Sequence, residues 1–431
     1  MADGGNEALI ARLRAHLSRL SRHDVPPELS ERILTRVPHR HRARWRRSGA
    51  ALAGGIALLC AGSALGVAAL GHRAQTNQPS AQTASPSHNA AAHNGLRAEA
   101  PPAAPPHLPG FRPVSISAVS DSTFWVLGIK KCSAGDCTAL LRTSDGGASY
   151  QELPGPPFTV GHDAPDAPDT VREIRFADTH NGWAFGPTLW SSHDGGSHWQ
   201  RVEMAAAVTE LEAAGAWVFA LVQPCRSPTD CNSTGLMRSG TAADHWEVMP
   251  GAGGAGRSYD IAARPHVLWI LAGGAGPASG LLVSRDGGRS FVHHVNPCAT
   301  LPGALSSPSD NVVWVLCDAL PDLLFASIDG GASFTQPRAA ANLAFGSQLS
   351  AISASTAFVD STAGRLLVSS DGGQSFSDAI APDDHLQRFR FLGFTDESHG
   401  FAIRDGGDPY RGSELWRTVD GGQKWYLARF S

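Results

Sequence analysis

Five arginines are placed where their guanidiniums could act together: Arg112, Arg172, Arg175, Arg388 and Arg390. Arg388 and Arg390 are two residues apart, so on a strand they share a face. A patch of this kind suits a partner bearing carboxylate or phosphate, because the planar guanidinium meets either group in a bidentate fork. Carboxylates for hydrolysis are also available, at Glu173, Asp260 and Asp396. A glycosidase needs two such groups a few ångströms apart across the scissile bond, and spacing along the chain pairs none of these. Of the four tyrosines only Tyr259 and Tyr410 lie clear of the repeated motif described next. The chain has no Ser-His-Asp arrangement, no phosphate loop and no dinucleotide fingerprint. His293-His294 reads as an exposed pair, and no Cys/His cluster has zinc spacing. No catalytic set, metal or cofactor is therefore assigned.

These residues are set among a repeat. The motif Ser/Thr-x-Asp-Gly-Gly-x-x-aromatic occurs six times, centred on Asp145, Asp194, Asp286, Asp329, Asp371 and Asp420. A seventh, eroded copy puts Thr241 in the aspartate slot and keeps Ser239 and Trp246. Successive centres are 49, 47, 45, 43, 42 and 49 residues apart, a period typical of propeller blades. Four residues before each centre stands a large apolar side chain (Leu141, Trp190, Met237, Leu282, Phe325, Leu367, Trp416). Five residues after it stands an aromatic (Tyr150, Trp199, Trp246, Phe291, Phe334, Phe376, Trp425). Each unit has another apolar strand upstream, such as Phe124-Trp125 or Leu268-Trp269, and a less regular one before that, such as Val114–Val119 or Arg388–Phe394. Four strands per unit make one blade. The expected fold is all-β: a seven-bladed β-propeller with four-stranded blades over residues 111–431.

Asp-Gly-Gly between two strands is a hairpin signal, since glycine tolerates positive φ and the carboxylate accepts N–H groups of the turn. One carboxylate per loop is too few for calcium, which takes six to eight oxygens. The six aspartates are therefore assigned a structural role. These copies resemble the Asp-box (BNR) repeats of the sialidase, sortilin and photosystem II assembly-factor group of propellers, and the resemblance covers all of 111–431. It implies that the turns sit on the outer rim, away from the central funnel. A sialidase would further imply an arginine triad, a Tyr/Glu nucleophile pair and an aspartic acid. Phe111-Arg112-Pro113 departs from that group's Phe-Arg-Ile-Pro signature by lacking the residue between Arg and Pro.

The N-terminal quarter has a different composition. Residues 48–71 carry no charge, long enough as a helix to cross a hydrocarbon core of about 30 Å. Arginines crowd the N-terminal flank from Arg40 to Arg47, which predicts a single-pass anchor with its N-terminus in the cytoplasm. Residues 1–47 read as a basic, partly helical arm, and residues 72–110 as a disordered Ala/Pro/Ser-rich linker too poor in large apolar side chains to fold. Six of the seven cysteines form close pairs in sequence, Cys132/Cys137, Cys225/Cys231 and Cys298/Cys317, as expected of three disulfides in an oxidising compartment. A net charge of −4 offers no global basic field for nucleic acid.

The expected function is a membrane-anchored, extracytoplasmic, non-catalytic module. It would bind a protein or glycan through the funnel face and would use the five arginines. The alternatives are a sialidase-like surface glycoside hydrolase and a transmembrane protein that senses a ligand outside and signals through its basic arm.

Overall fold

The computed structural model describes residues 110–431, apart from residues 134, 162–168, 224–233, 253–256, 274–279, 300, 320–321, 336–344, 362–363, 381–387, 406–411 and 431. Within this range the chain is all-β and forms seven antiparallel sheets arranged as a propeller. Each sheet is built from consecutive strands, so every blade is local in sequence. The innermost strands are Arg112–Ala118, Glu173–Phe176, Ala207–Ala214, Arg257–Arg264, Gly303–Ser309, Phe345–Ala351 and Arg388–Phe394 in blades 1 to 7. Each packs against the innermost strands of its two neighbours, and blade 7 returns to blade 1. Six blades have four strands. In blade 5 the ladder holds three, and Thr335 N donates to Ala326 O (2.9 Å) where a fourth would run.

The seven-unit register is therefore correct, including the blade of the eroded copy. One element was not anticipated. Thr159–Val160 pairs in parallel with Thr170–Val171 between blades 1 and 2, and the inner strand of blade 2 begins at Glu173.

The core lies between the blades. Among the described residues seven apolar clusters each join two adjacent sheets, one cluster per junction. The second strand of each blade supplies the largest side chains, and Trp125, Trp183, Trp269 and Trp314 are fully buried there. These bulky residues wedge between sheets that face each other across roughly 10 Å. Ring closure uses side chains instead of a shared sheet. Phe430 meets Phe111 edge-on at 4.8 Å, and Arg417 of blade 7 donates to Gly146 O of blade 1.

The six Asp-Gly-Gly turns share one geometry, in which both glycines have positive φ, for instance +69° and +83° at Gly146 and Gly147. In blade 4, Ser284 Oγ donates to Asp286 Oδ1 (2.8 Å) and accepts from Gly288 N (2.8 Å). Ser290 then donates its N–H (2.9 Å) and its hydroxyl (2.6 Å) to the two carboxylate oxygens. Equivalent bonds recur around Asp145, Asp194, Asp329, Asp371 and Asp420. The aromatic packs beneath its turn, and Trp199 Nε1 donates to Gly196 O (3.1 Å). At the eroded copy Ala242 and Ala243 lack positive φ, and Thr241 N closes the hairpin on Ala216 O (3.0 Å).

Disulfides join Cys132 to Cys137 and Cys298 to Cys317. Cys225 and Cys231 lie outside the described residues, as do the arm, the apolar segment 48–71 and the linker up to residue 109. Among the described residues no helix is long and apolar enough to cross a membrane.

Candidate functional site

The innermost strands of blades 2 to 7 surround a central cavity of about 620 Å³. Its charged lining comprises Glu173, Glu210, Glu212, Asp260, Asp318 and Asp360 against Arg175, Arg388 and Arg390. Carboxylates thus outnumber guanidiniums six to three. β-Bulges shape this lining. The inner strands of blades 3, 4 and 7 slip register after Val208, Ser258 and Phe389, beside the lining residues Glu210, Asp260 and Arg390. A bulge re-aims the residues beside it.

One level of the ring is legible from strand pairing. Ser115, Glu173, Glu210, Asp260 and Ala304 each stand opposite the second-strand residue two positions beyond its Trp or Phe. Two of these side chains bond forward to the next blade. Ser115 Oγ accepts from Ile174 N (3.1 Å), and Asp260 Oδ2 accepts from Leu305 N (2.6 Å). One level on, Arg175 forms an ion pair with Glu212 (2.9 Å) and donates to Leu211 O (3.3 Å). Arg390 pairs with Asp405 (2.5 Å).

Desolvation dominates the electrostatics here. It raises the carboxyls of Glu173, Glu210 and Glu212, with Glu210 driven furthest because Glu173, Asp260 and Glu212 add like charge. Burial pushes Asp260 up to about 7 although two backbone N–H groups bond it, and pushes Asp360 up to about 6. Arg175 is held firmly protonated by Glu212 and Glu173 against its own desolvation.

Of the five arginines singled out from the sequence, Arg175, Arg388 and Arg390 line this cavity. Arg112 instead turns to Asp136 (2.5 Å) on the third strand of its own blade. Arg172 is exposed at the start of blade 2, where its charge still acts on Glu173. Of the three carboxylates, Glu173 and Asp260 share the cavity, whereas Asp396 caps a hairpin by accepting from Ser398 N (2.7 Å) and His399 N (2.9 Å). The side chain of Tyr259 and all of Tyr410 lie outside the described residues. Glu210 and Glu212 were missed. Their signal was present, since Val208-Thr-Glu210-Leu-Glu212 places two carboxylates on one face of a strand. Among the described residues no group of three or more His, Cys, Asp or Glu could hold a metal ion.

No known family profile matches the chain, and no curated protein matches it by sequence. Solved structures do match. One is YCF48 bound to D1 peptide, at 17% identity and TM-score 0.51, covering 73% of this chain and 95% of that one. Another is YCF48 from Cyanidioschyzon merolae, at 12% identity and TM-score 0.48, covering 73% and 97%. A third is the GH74 enzyme of Niastella koreensis, at 11% identity and TM-score 0.27, covering 74% and 71%. The chain has the fold of YCF48. Identities this low speak to fold alone, because one propeller frame carries many activities.

Proposed function

We propose that the chain is a non-catalytic binding module that takes a segment of a protein partner at its central cavity. The observation that carries this reading is the cavity itself, of about 620 Å³ and lined from six blades with charge of both signs. A concave site with convergent polar groups is the default place for a ligand to bind. The D1 peptide bound to YCF48 supports a peptide as the kind of occupant.

A glycoside hydrolase would need one carboxyl free to donate a proton and a second free to act as base or nucleophile. Asp260, raised to about 7, has the acidity of a general acid. However, both its oxygens are taken by the N–H groups of Ile261 and Leu305, and Glu212 is tied to Arg175. Those two carboxyls are thereby committed to holding the lining in place. We further infer from the sequence that the repeats are Asp boxes and that residues 48–71 anchor the propeller outside the cytoplasm.

The test uses the full-length protein in detergent with a displayed peptide library and a panel of fluorogenic glycosides. Saturable peptide binding, lost when Ala304→Phe fills the cavity, is expected. Glycoside turnover abolished by Asp260→Asn and Glu173→Gln, or no saturable peptide binding, would overturn the reading.

A further inference from the structure

We propose that Glu210, flanked by Glu173, anchors one cationic side chain, arginine or lysine, of the segment that enters the cavity; this rests on the cavity being a protein-binding site. In blades 1 and 4 the side chain at this position is spent on the next blade, Ser115 on Ile174 N and Asp260 on Leu305 N. The equivalent donor for Glu210 is Ile261 N, the residue after Asp260. That N–H is already taken at 2.7 Å by Asp260 Oδ1. Glu210 therefore has no place in the inter-blade bonding that Ser115 and Asp260 make.

No guanidinium of the cavity hydrogen-bonds Glu210, although the charge of Arg175 reaches it. Arg175 is committed to Glu212 and Leu211 O, and Arg390 to Asp405. Arg388 is exposed, and its charge acts on Asp360 of blade 6. Among the described residues none gives Glu210 a hydrogen bond or an ion pair, although it is half-buried and lines the cavity. Glu173, Asp260 and Glu212 crowd like charge onto this carboxyl, and an incoming guanidinium or ammonium offsets that repulsion. Glu173, at the same level on the adjacent strand, supplies the second acceptor that a guanidinium fork needs. The absence of a metal-holding set among the described residues favours an organic cation over a metal ion.

The experiment selects peptides from a displayed random library against the full-length protein in detergent. Affinity is then measured by fluorescence anisotropy. Enriched peptides should carry a common Arg or Lys, and Glu210→Gln should weaken one such peptide at least tenfold. Glu203→Gln, at an exposed position outside the central cavity, should change it less than twofold. Replacing the peptide's Arg or Lys by Gln should cost as much in the parent protein and little more in Glu210→Gln, since the two changes remove one interaction. This peptide-side arm keeps the test valid if Glu210→Gln folds poorly. Enriched peptides that lack a cation, or bind Glu210→Gln as tightly as the parent, overturn the inference and leave the broader reading standing. No enrichment at all overturns both.

Discussion

Carboxylates at the rim and at the axis of this propeller behave in opposite ways. At the rim each turn aspartate is saturated with donors. The hydroxyl and backbone N–H of Ser290 bring Asp286 to about 2. Asp194, where slight burial pulls the other way, is still brought to about 2 by the backbone and ring of His198. At the axis, burial outweighs bonding and every shifted carboxyl moves up. The rim therefore uses charge to stabilise the hairpins. The axis keeps charge at a cost to stability, a pattern expected where residues are retained for binding.

The largest effect is expected at Arg175, on the axial side. Its replacement by methionine leaves Glu173, Glu210 and Glu212 without their shared cation. Loss of one partner of a buried pair costs about 3–5 kcal/mol. Because a quarter of the Arg175 side chain remains exposed, the lower part of that range, about 3 kcal/mol, is expected by urea denaturation at pH 8. At the rim, Ser284→Ala removes the acceptor of the buried Gly288 N–H and a donor to Asp286. A loss of about 2 kcal/mol is expected by the same method.

A smaller effect separates two junctions of the core. Trp269 Nε1 donates to Gly330 O (2.9 Å) of the next blade's turn, as Trp125 does to Gly195 O (2.8 Å). Trp183 faces the eroded turn, and among the described residues its buried indole N–H has no acceptor. Both Trp→Phe changes leave a cavity, but only Trp269→Phe also breaks a hydrogen bond. It should cost about 1 kcal/mol more than Trp183→Phe. The smallest change is at Glu210, where Glu210→Gln should raise the melting temperature at pH 8 and leave it nearly unchanged at pH 4.

The rim was readable from residues because a turn is local. Asp, Gly-Gly and the Ser or Thr two places earlier specify their own bonds, and even the eroded copy kept its place through Met237 and Trp246. The axis was only partly readable. Which inner-strand side chains meet depends on bulges and on pairing across blades 36 or more residues apart, and neither leaves a local mark. The arginines drew attention as a cluster of one charge, yet two of the three that reach the cavity are bound to carboxylates on other strands. Arg112 was lost to Asp136, which lies on the hairpin bearing Cys132 and Cys137.

Direct titration of the side-chain carboxyls by carbon-13 NMR, with single Asp→Asn and Glu→Gln variants for assignment, tests the contrast most directly. Rim aspartates with lowered values add stability that is complete above their unfolded value of about 4 and is lost as pH falls toward 2. Axial carboxyls with raised values cost stability at high pH, and that cost is relieved as pH falls through about 7 and 6, the values at Asp260 and Asp360. The account predicts two separate populations, Asp286 and Asp194 titrating near 2 and Asp260 near 7. A single population near 4, with Asp260 inside it, would contradict it.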